Sequence, residues 1–307
     1  MKKYLFFILL LLLKNNLCSA QNDSAEYFNN YITLSPVVLS TKLNVPSFIN
    51  RIKSDSSFYK SFRNLRMIGY TAINDIRMLH KEEKLKASLH SKTKQIRTGK
   101  CRTMQVLEEQ TSGDIYDNQH QFNYYTAQMY ASLFFTKGQV CNETNIVGSN
   151  EFSVNNKSGM DKHKEQLKML FFNPGKRING LPFISNKTAI FEEDISDSYD
   201  MSIDMDVRNN MNCYVFKQKV KPGREDDVIV DEMTTWFEDS SLQVVARNYL
   251  LSYDAGVYDF KVNMEVEMTK CKDLIVPSLI RYIGNWKAIF KKRERGVFTA
   301  TLFDFQP

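Results

Sequence analysis

Glycine, proline and histidine are scarce in this sequence. Twelve glycines and seven prolines among 307 residues are too few for a collagen-like or low-complexity chain, and no repeat indicates a solenoid. The four histidines, His80, His90, His120 and His163, have no second histidine or cysteine at metal-ligand spacing. A nucleophile elbow and a glycine-rich phosphate-binding motif are also missing. These absences predict a protein that is not an enzyme and that uses neither a metal nor an organic cofactor.

The rest of the composition is that of a chain with a sizeable core. Hydrophobic residues make up 43% and charged residues 25%, with 21 phenylalanines and 15 tyrosines. Adjacent acids such as Asp226-Asp227 and Asp231-Glu232 offer weak support for an enzyme. Positions in solvated turns or on solvated strand faces explain these acids more simply. Basic and acidic residues are interspersed along the chain, so we expect no nucleic acid partner.

The first twenty residues have the pattern of a secretory signal peptide. Lys2 and Lys3 precede the apolar run Tyr4–Leu13, whose ten residues are too few for a membrane span of about 20. Small side chains follow, so we predict cleavage after Ala20 and export to the periplasm or outer membrane. Lipidation at Cys18 stays open as an alternative.

This cleavage defines the expected domain organisation. Residues 1–20 would be the signal peptide, residues 21–30 a mobile leader, and residues 31–307 a single β-rich domain. A division into two domains near residues 158–175 is the alternative. Loss of the signal peptide removes three lysines and no acid, which lowers the formal charge from +6 to +3.

Four cysteines remain in the predicted mature chain: Cys101, Cys141, Cys213 and Cys271. Their wide spacing fits neither a redox pair nor a zinc ribbon. An oxidising compartment permits two disulfides in three connectivities, and buried free thiols are an equally good interpretation. The sequence leaves the pairing open.

Alternation of apolar and polar residues predicts antiparallel strands with one dry and one wet face. The longest such stretch runs from Tyr258 to Thr269, and others cover residues 201–208 and 84–92. Further strands are predicted at Ile68–Ala72, Arg102–Glu108, Asn212–Lys219, Val228–Phe237, Leu242–Tyr253, Leu274–Ile283 and Gly296–Phe305.

Three segments have helical spacing. One helix is predicted to start at Asn44-Val45-Pro46, and another runs from a cap at Ser158 to the breaker Asn173-Pro174-Gly175. For Tyr124–Phe135 we favour a helix over a strand, because its aromatic residues and Met129 recur four apart. The first helix would present one apolar stripe, made of Phe48, Ile52, Tyr59 and Phe62.

In Val228–Asp239, an aromatic residue and an acid precede a turn, and the strand Leu242–Tyr253 runs back. This segment, an early helix, and a meander from Met201 to Phe305 together resemble the periplasmic lipoprotein carrier family represented by LolA and LolB. The resemblance implies an α+β fold with a strongly curved, mainly antiparallel β-sheet (incomplete barrel) wrapped around two or three helices. It also implies a carrier without catalysis or cofactor that holds acyl chains in its apolar interior.

Under this resemblance, the dry faces of two strands would form the ligand site in the concave face of the sheet. The predicted ligand-binding residues are Met201, Ile203, Met205, Tyr258, Phe260, Val262, Met264, Val266 and Met268. The ligand would be a lipid or an acylated molecule. The alternative is a non-catalytic interaction module of an outer-membrane or cell-surface assembly, with an envelope protein partner and a fully packed interior.

The strongest run of positive charge lies between two predicted strands. It would make a peripheral membrane contact through Lys287, Lys291, Lys292, Arg293 and Arg295. The alternative is a solvated hairpin that keeps a sheet edge soluble.

Overall fold

The secondary structure of the computed structural model is described for residues 45–146, 168–178, 184, 186–255, 258–288 and 292–307. The chain divides into two units, Met1–Val38 and Leu39–Pro307. The first unit lies outside the described residues, and so do the predicted signal peptide, the leader and Cys18. In the part of the chain that the structure describes, no helix is long and apolar enough to cross a membrane.

The second unit is built from strands and short helices. The helices are α1 (Val45–Ser54), α2 (Ser57–Asn64), α3 (Tyr125–Phe134) and α4 (Glu193–Ser196), and residues 168–172 are also helical. The first four strands are β1 (Gly69–Leu79), β2 (Leu85–Thr98), β3 (Cys101–Gly113) and β4 (Val140–Cys141). The other strands are β5 (Tyr199–Arg208), β6 (Met211–Val220), β7 (Val230–Glu238), β8 (Val244–Ala255), β9 (Tyr258–Cys271), β10 (Leu274–Ala288) and β11 (Glu294–Gln306).

All eleven strands belong to one antiparallel sheet in the order β4-β3-β2-β1-β11-β10-β9-β8-β7-β6-β5. Neighbours in the sheet are neighbours in the chain except at one place, where β1 pairs with β11 and Asn74 lies opposite Ala300. The sheet is curved and open. The predicted fold class, an α+β fold with a curved antiparallel sheet and a few helices, is therefore confirmed.

Most of the predicted alternation is found in the sheet. On β9, Phe260, Val262, Met264, Val266 and Met268 are buried in one hydrophobic core with the helices. The pattern fails at two strand ends. Val207, near the end of the edge strand β5, is 64% exposed, and Leu85 at the start of β2 is also exposed. The period of two is kept at both positions, but these two side chains face solvent.

The first predicted helix is two helices. Phe48 and Ile52 on α1 and Tyr59 and Phe62 on α2 are all buried, as the single apolar stripe requires. The chain breaks between them because Asp55 accepts hydrogen bonds from the backbone N–H and the hydroxyl of Ser57, at 3.2 and 3.0 Å. A side chain that caps a new helix in this way competes with continuing the old one.

The predicted helix over Tyr124–Phe135 is confirmed as α3, and residues of the sheet hold it. The carboxylate of Glu294 on β11 accepts the backbone N–H groups of Tyr125 and Thr126 at 2.9 and 2.8 Å. It therefore satisfies the open N-terminus of the helix from another element. Further along, the Tyr130 hydroxyl donates to Oδ1 of Asn74 on β1 at 2.8 Å.

The cysteines divide between the two interpretations that the sequence left open. Cys101 and Cys141 lie opposite each other on β3 and β4 and form a disulfide. Cys213 and Cys271 are free and buried. The disulfide anchors the segment after β4, where Glu143 pairs with Arg102 of β3 at 2.5 Å.

Candidate functional site

The predicted ligand-binding residues occupy two kinds of position. The five on β9 from Phe260 to Met268 are buried beneath the helices, while Met201, Ile203 and Met205 on the edge strand are only half-buried. The side chain of Tyr258 lies outside the described residues. Of the edge residues, Met201 and Ile203 pack against the same core as β9. The structure thus brings the β9 residues together and leaves the β5 residues at its margin.

A cavity of about 40 Å³ lies between the sheet and its helical cover. Its floor comes from β9, β10 and β11, and its roof from α3 and the helical residues 168–172. This volume is far below that of sites for small-molecule ligands, which usually measure about 300–1,000 Å³. The lining residues are Thr126, Met129, Tyr130, Leu133, Phe134, Phe171, Phe172, Met264, Ile280, Tyr282 and Phe298.

Of these lining residues, only Met264 is among the predicted site residues. The sequence predicted one part of the roof, because the spacing of four in Tyr124–Phe135 indicates a helix. That the helix lies over β9 to β11 depends on Glu294 and on Trp286, whose indole N–H donates to the Thr126 hydroxyl at 3.1 Å. Contacts between residues so distant in sequence leave no local pattern.

A second cavity of about 30 Å³ adjoins the first. Leu133, Phe134 and Phe172 line both cavities and form the wall between them. The Phe134 and Phe172 rings meet edge to face, with centroids 6.3 Å apart. The far side of the second cavity is lined by Tyr59, Phe62, Arg63, Leu65 and Arg66.

A buried cation, Arg247, lies on the dry side of β8. Its side chain is 6% exposed, its Nε donates to the Thr235 hydroxyl at 2.9 Å, and its guanidinium lies 4.3 Å from the centre of the Phe58 ring. Burial lowers the pKa of Arg247 to about 10, against the opposing charge of Asp55. The arginine falls in a stretch without clear alternation, so the sequence did not single it out.

A depression of about 450 Å³ lies at the ends of β8, β9 and β10. Its floor includes the Tyr253 and Phe260 rings, and Lys187, Asp226, Asp259 and Arg293 are among the charged residues around it. Charge of both signs at this rim distinguishes the depression from the cavity beneath α3, whose lining residues carry no charge. Within the described residues, no group of three or more histidines, cysteines, aspartates or glutamates could hold a metal ion.

The basic run joins β10 to β11, which lie in the interior of the sheet, so the hairpin does not protect a sheet edge as the alternative interpretation expected. Arg293 is paired with Asp259 and donates to Asn285 at 2.9 Å. Lys287 and Lys292 are exposed and Arg295 is half-buried, whereas Lys291 lies outside the described residues. A membrane contact through these residues stays a prediction.

No protein-family model matches this chain, and no curated protein matches it. Solved structures to which it is similar include a DUF1329 family protein from Desulfovibrio piger, with 12% identity, coverage of 83% of this chain and 92% of that chain, and a TM-score of 0.28. A putative outer membrane lipoprotein-sorting protein domain from Vibrio parahaemolyticus has 8% identity, coverage of 80% and 88%, and a TM-score of 0.28. A LolA superfamily protein from Nitrosomonas europaea has 9% identity, coverage of 82% and 91%, and a TM-score of 0.25.

The matches have sequence identities of only 8–12%. At TM-scores of 0.28 and below, they carry no ligand, partner or activity over to this chain. The features of this chain that bear on function are therefore the sheet, its helical cover and the cavities between them.

Proposed function

We propose that this chain is an exported, non-catalytic protein of the cell envelope that binds a lipid or an acyl chain between the dry face of its sheet and α3. The observation that carries the proposal is the apolar cavity beneath α3, where only Thr126 and the tyrosine hydroxyls bring polar atoms to the lining. Binding would be passive, because an apolar chain gains free energy simply by leaving water.

The ligand would occupy the space by displacing the helical cover. The cavity of about 40 Å³ is too small for an acyl chain, so α3 or the helical residues 168–172 must move outward. Burying a chain of about 14 carbons stabilises the complex by ~0.8 kcal/mol per CH₂. Each polar contact that holds α3 contributes about 1–3 kcal/mol, and the bound chain would cover the apolar side chains that the helix uncovers as it moves.

The alternative function, an interaction module for an envelope partner, is favoured by one observation. Each of the two interior cavities described above is too small to hold an acyl chain as it stands. In that case the dry face is ordinary core, and recognition belongs to the outer surface.

Native mass spectrometry of protein purified from its own host separates the two functions. The lipid-binding function predicts a mass above that of the polypeptide, which returns to the polypeptide mass when the protein is denatured. A bare polypeptide mass, together with no uptake of added palmitate, would contradict it and favour the interaction module.

A pair of matched arginine substitutions tests the site itself. Met264→Arg places a charge under α3 and is expected to abolish lipid uptake, because Met264 lines the cavity. Ile283→Arg is the control on β10, since Ile283 is 50% exposed, and it should leave uptake unchanged. Circular dichroism must show a folded sheet in both variants. Equal uptake by the two variants would place the ligand elsewhere.

A further inference from the structure

The depression at the ends of β8, β9 and β10 is large enough to hold a ligand as it stands. Its volume of about 450 Å³ falls within the range of about 300–1,000 Å³ that is usual for small-molecule sites. The proposed lipid-binding function uses the space beneath α3 and not this one. The depression is therefore the candidate for a second, separate ligand.

The depression has one aromatic wall and one polar wall. Tyr253 lies opposite Phe260 in the pairing of β8 with β9, and the centroids of their rings are 6.1 Å apart. Asp254 lies opposite Asp259, one position nearer the connection between the two strands. Because successive side chains of a strand point to opposite faces, the two rings belong to one face and the two carboxylates to the other. All four side chains line the depression, so it extends around the end of the sheet.

Hydrogen bonds between its own residues hold the polar wall in place. Arg293 donates from Nη1 to Asp259 Oδ1 at 3.3 Å, and from Nη2 to the other oxygen of the same carboxylate. Arg293 Nη1 also donates to Asn285 Oδ1 at 2.9 Å. Lys187 donates to the backbone oxygen of Asp226. A carboxylate has more lone pairs, and a guanidinium or an amide more N–H donors, than these contacts use. The wall can therefore bind further polar groups without losing its own contacts.

This combination of walls favours a neutral ligand that carries hydroxyl groups. A charged ligand would compete with Arg293 or Asp259 for its partner, and separating a partly buried ion pair is costly. A hydroxyl both donates and accepts, so it can bind beside the pair and leave the pair intact. A pyranose ring has such hydroxyls at its edge and an apolar C–H face, which packs on an aromatic ring such as that of Tyr253.

We propose that the depression binds a neutral saccharide of one or two pyranose rings. One ring would pack against the half-buried Tyr253, and its hydroxyls would form hydrogen bonds with Asp254, Asp259 and Asn285. Lys187 lies over the Tyr253 ring, with Nζ 5.6 Å from the ring centre, and it would swing aside and donate to a hydroxyl of the sugar. This site goes beyond the proposed lipid-binding function and does not depend on it.

Saturation-transfer difference NMR on the full chain tests the proposal with three neutral disaccharides: maltose, cellobiose and lactose. Glycylglycine is the comparison, because this zwitterion would bind through the charges of the rim. At least one disaccharide should show saturable transfer. Its dissociation constant should change less than about twofold when the ionic strength rises from about 0.05 to about 0.5 M, since salt screens charges and the ligand has none.

Matched variants locate the ligand in the depression. Tyr253→Ala removes the ring and should raise the dissociation constant about three- to tenfold, as expected for one aromatic contact. Tyr253→Phe keeps the ring and should bind like the natural chain. Tyr116→Ala is the control, at a half-buried tyrosine between β3 and α3, and it should leave binding unchanged. Asp254→Ala removes an exposed acceptor and should weaken binding severalfold, which gives a result even if Tyr253→Ala fails to fold.

Three results would overturn the saccharide site. The first is that no disaccharide binds, or that glycylglycine alone does. The second is binding that weakens steeply with salt, because the ligand would then be recognised by charge. The third is a disaccharide that the Tyr253→Ala and Asp254→Ala variants bind as well as the control does. None of these results bears on the lipid-binding function, because uptake of palmitate beneath α3 is measured separately.

Discussion

At the scale of single residues, Glu143 links folding to pH. Its pKa is lowered below the ordinary value of 4.5 in the folded chain. The ionised form is therefore bound more favourably in the folded state, and this stabilisation is present above pH 4.5 and is lost as the pH falls through the lowered value.

Glu143→Gln should accordingly be less stable than the natural chain at pH 7, by roughly 1–3 kcal/mol for a charged hydrogen bond. Urea unfolding at a series of pH values should show the two midpoints converging as the pH falls below about 4.5. A difference that stays constant down to pH 3 would mean that Glu143 acts through packing rather than through its charge.

Arg247 is the second residue for which burial and charge oppose each other. Its guanidinium contacts Phe58 and Thr235 beneath the helices. Because removing a charge from water is costly, an apolar side chain of similar length is tolerated at such a site. We expect Arg247→Met to change the free energy of unfolding by less than about 1 kcal/mol, and Arg247→Ala to lower it by about 2 kcal/mol or more through lost packing. A large loss in the methionine variant would instead identify an essential ion pair.

Glu143 and Arg247 show which features of the molecule the sequence alone does not predict. Phe260 and Met264 could be placed on the dry face of the sheet because they belong to a period of two. Arg247 lies on the dry side of its strand as a charged exception, and the proximity of Arg66 and Arg102 to Glu143 depends on three segments meeting in space. No spacing along the chain encodes such meetings.

At the scale of elements, α3 depends on a cap from another part of the chain. Glu294 accepts two backbone N–H groups of the first turn, so Glu294→Ala should expose them and weaken the interaction with the helix dipole. We expect a loss of about 1–2 kcal/mol in unfolding free energy. Hydrogen exchange should become faster in residues 125–134 and stay unchanged in β9.

Glu232→Ala on β7 is the matched control, since Glu232 is exposed. If α3 is the moving cover of the proposed site, Glu294→Ala should also take up palmitate faster than the control. Faster exchange with no change in the rate of uptake would contradict the role of α3 as the cover.

Elements were predicted best where one local signal dominates. The strands follow from alternation, and α3 follows from its spacing of four. The division of the first helix did not follow, because Phe48 to Phe62 keep one stripe across the break. The hydrogen bonds from Ser57 to Asp55 determine where the helix breaks. Both residue types also occur within helices, so they do not mark the break in the sequence.

At the scale of the whole molecule, the sheet depends on the pairing of β1 with β11. All other neighbours follow each other in sequence, so this pairing alone joins β1–β4 to β5–β11. Thr299 on β11 lies opposite Asp75 on one side and Arg281 on the other.

Proline cannot donate a backbone hydrogen bond, and it is poorly tolerated in an interior strand. Thr299→Pro should therefore lower the free energy of unfolding by about 3 kcal/mol or more, whereas Thr299→Ala should cost less than about 1 kcal/mol. Urea unfolding followed by circular dichroism measures both variants. Equal stability of the two would show that this pairing contributes little.

The meander from β5 to β11 could be predicted because turns and strands alternate along the chain. The pairing of β1 with β11 could not be predicted. Nine other strands lie between them in the sequence, and each could pair with β1 through similar backbone hydrogen bonds. Only the assembled sheet decides which two are neighbours.

The pairing of β1 with β11 also determines when the sheet can be completed during synthesis. On a ribosome, Asn74 emerges long before its partner Ala300, so β1 waits without one neighbour while nearly all the other strands are synthesised. During that time the apolar face of β1 has no complete hydrophobic core to pack against. If the chain is exported as proposed, late completion of the sheet suits passage through a narrow secretion channel, which admits only an unfolded polypeptide.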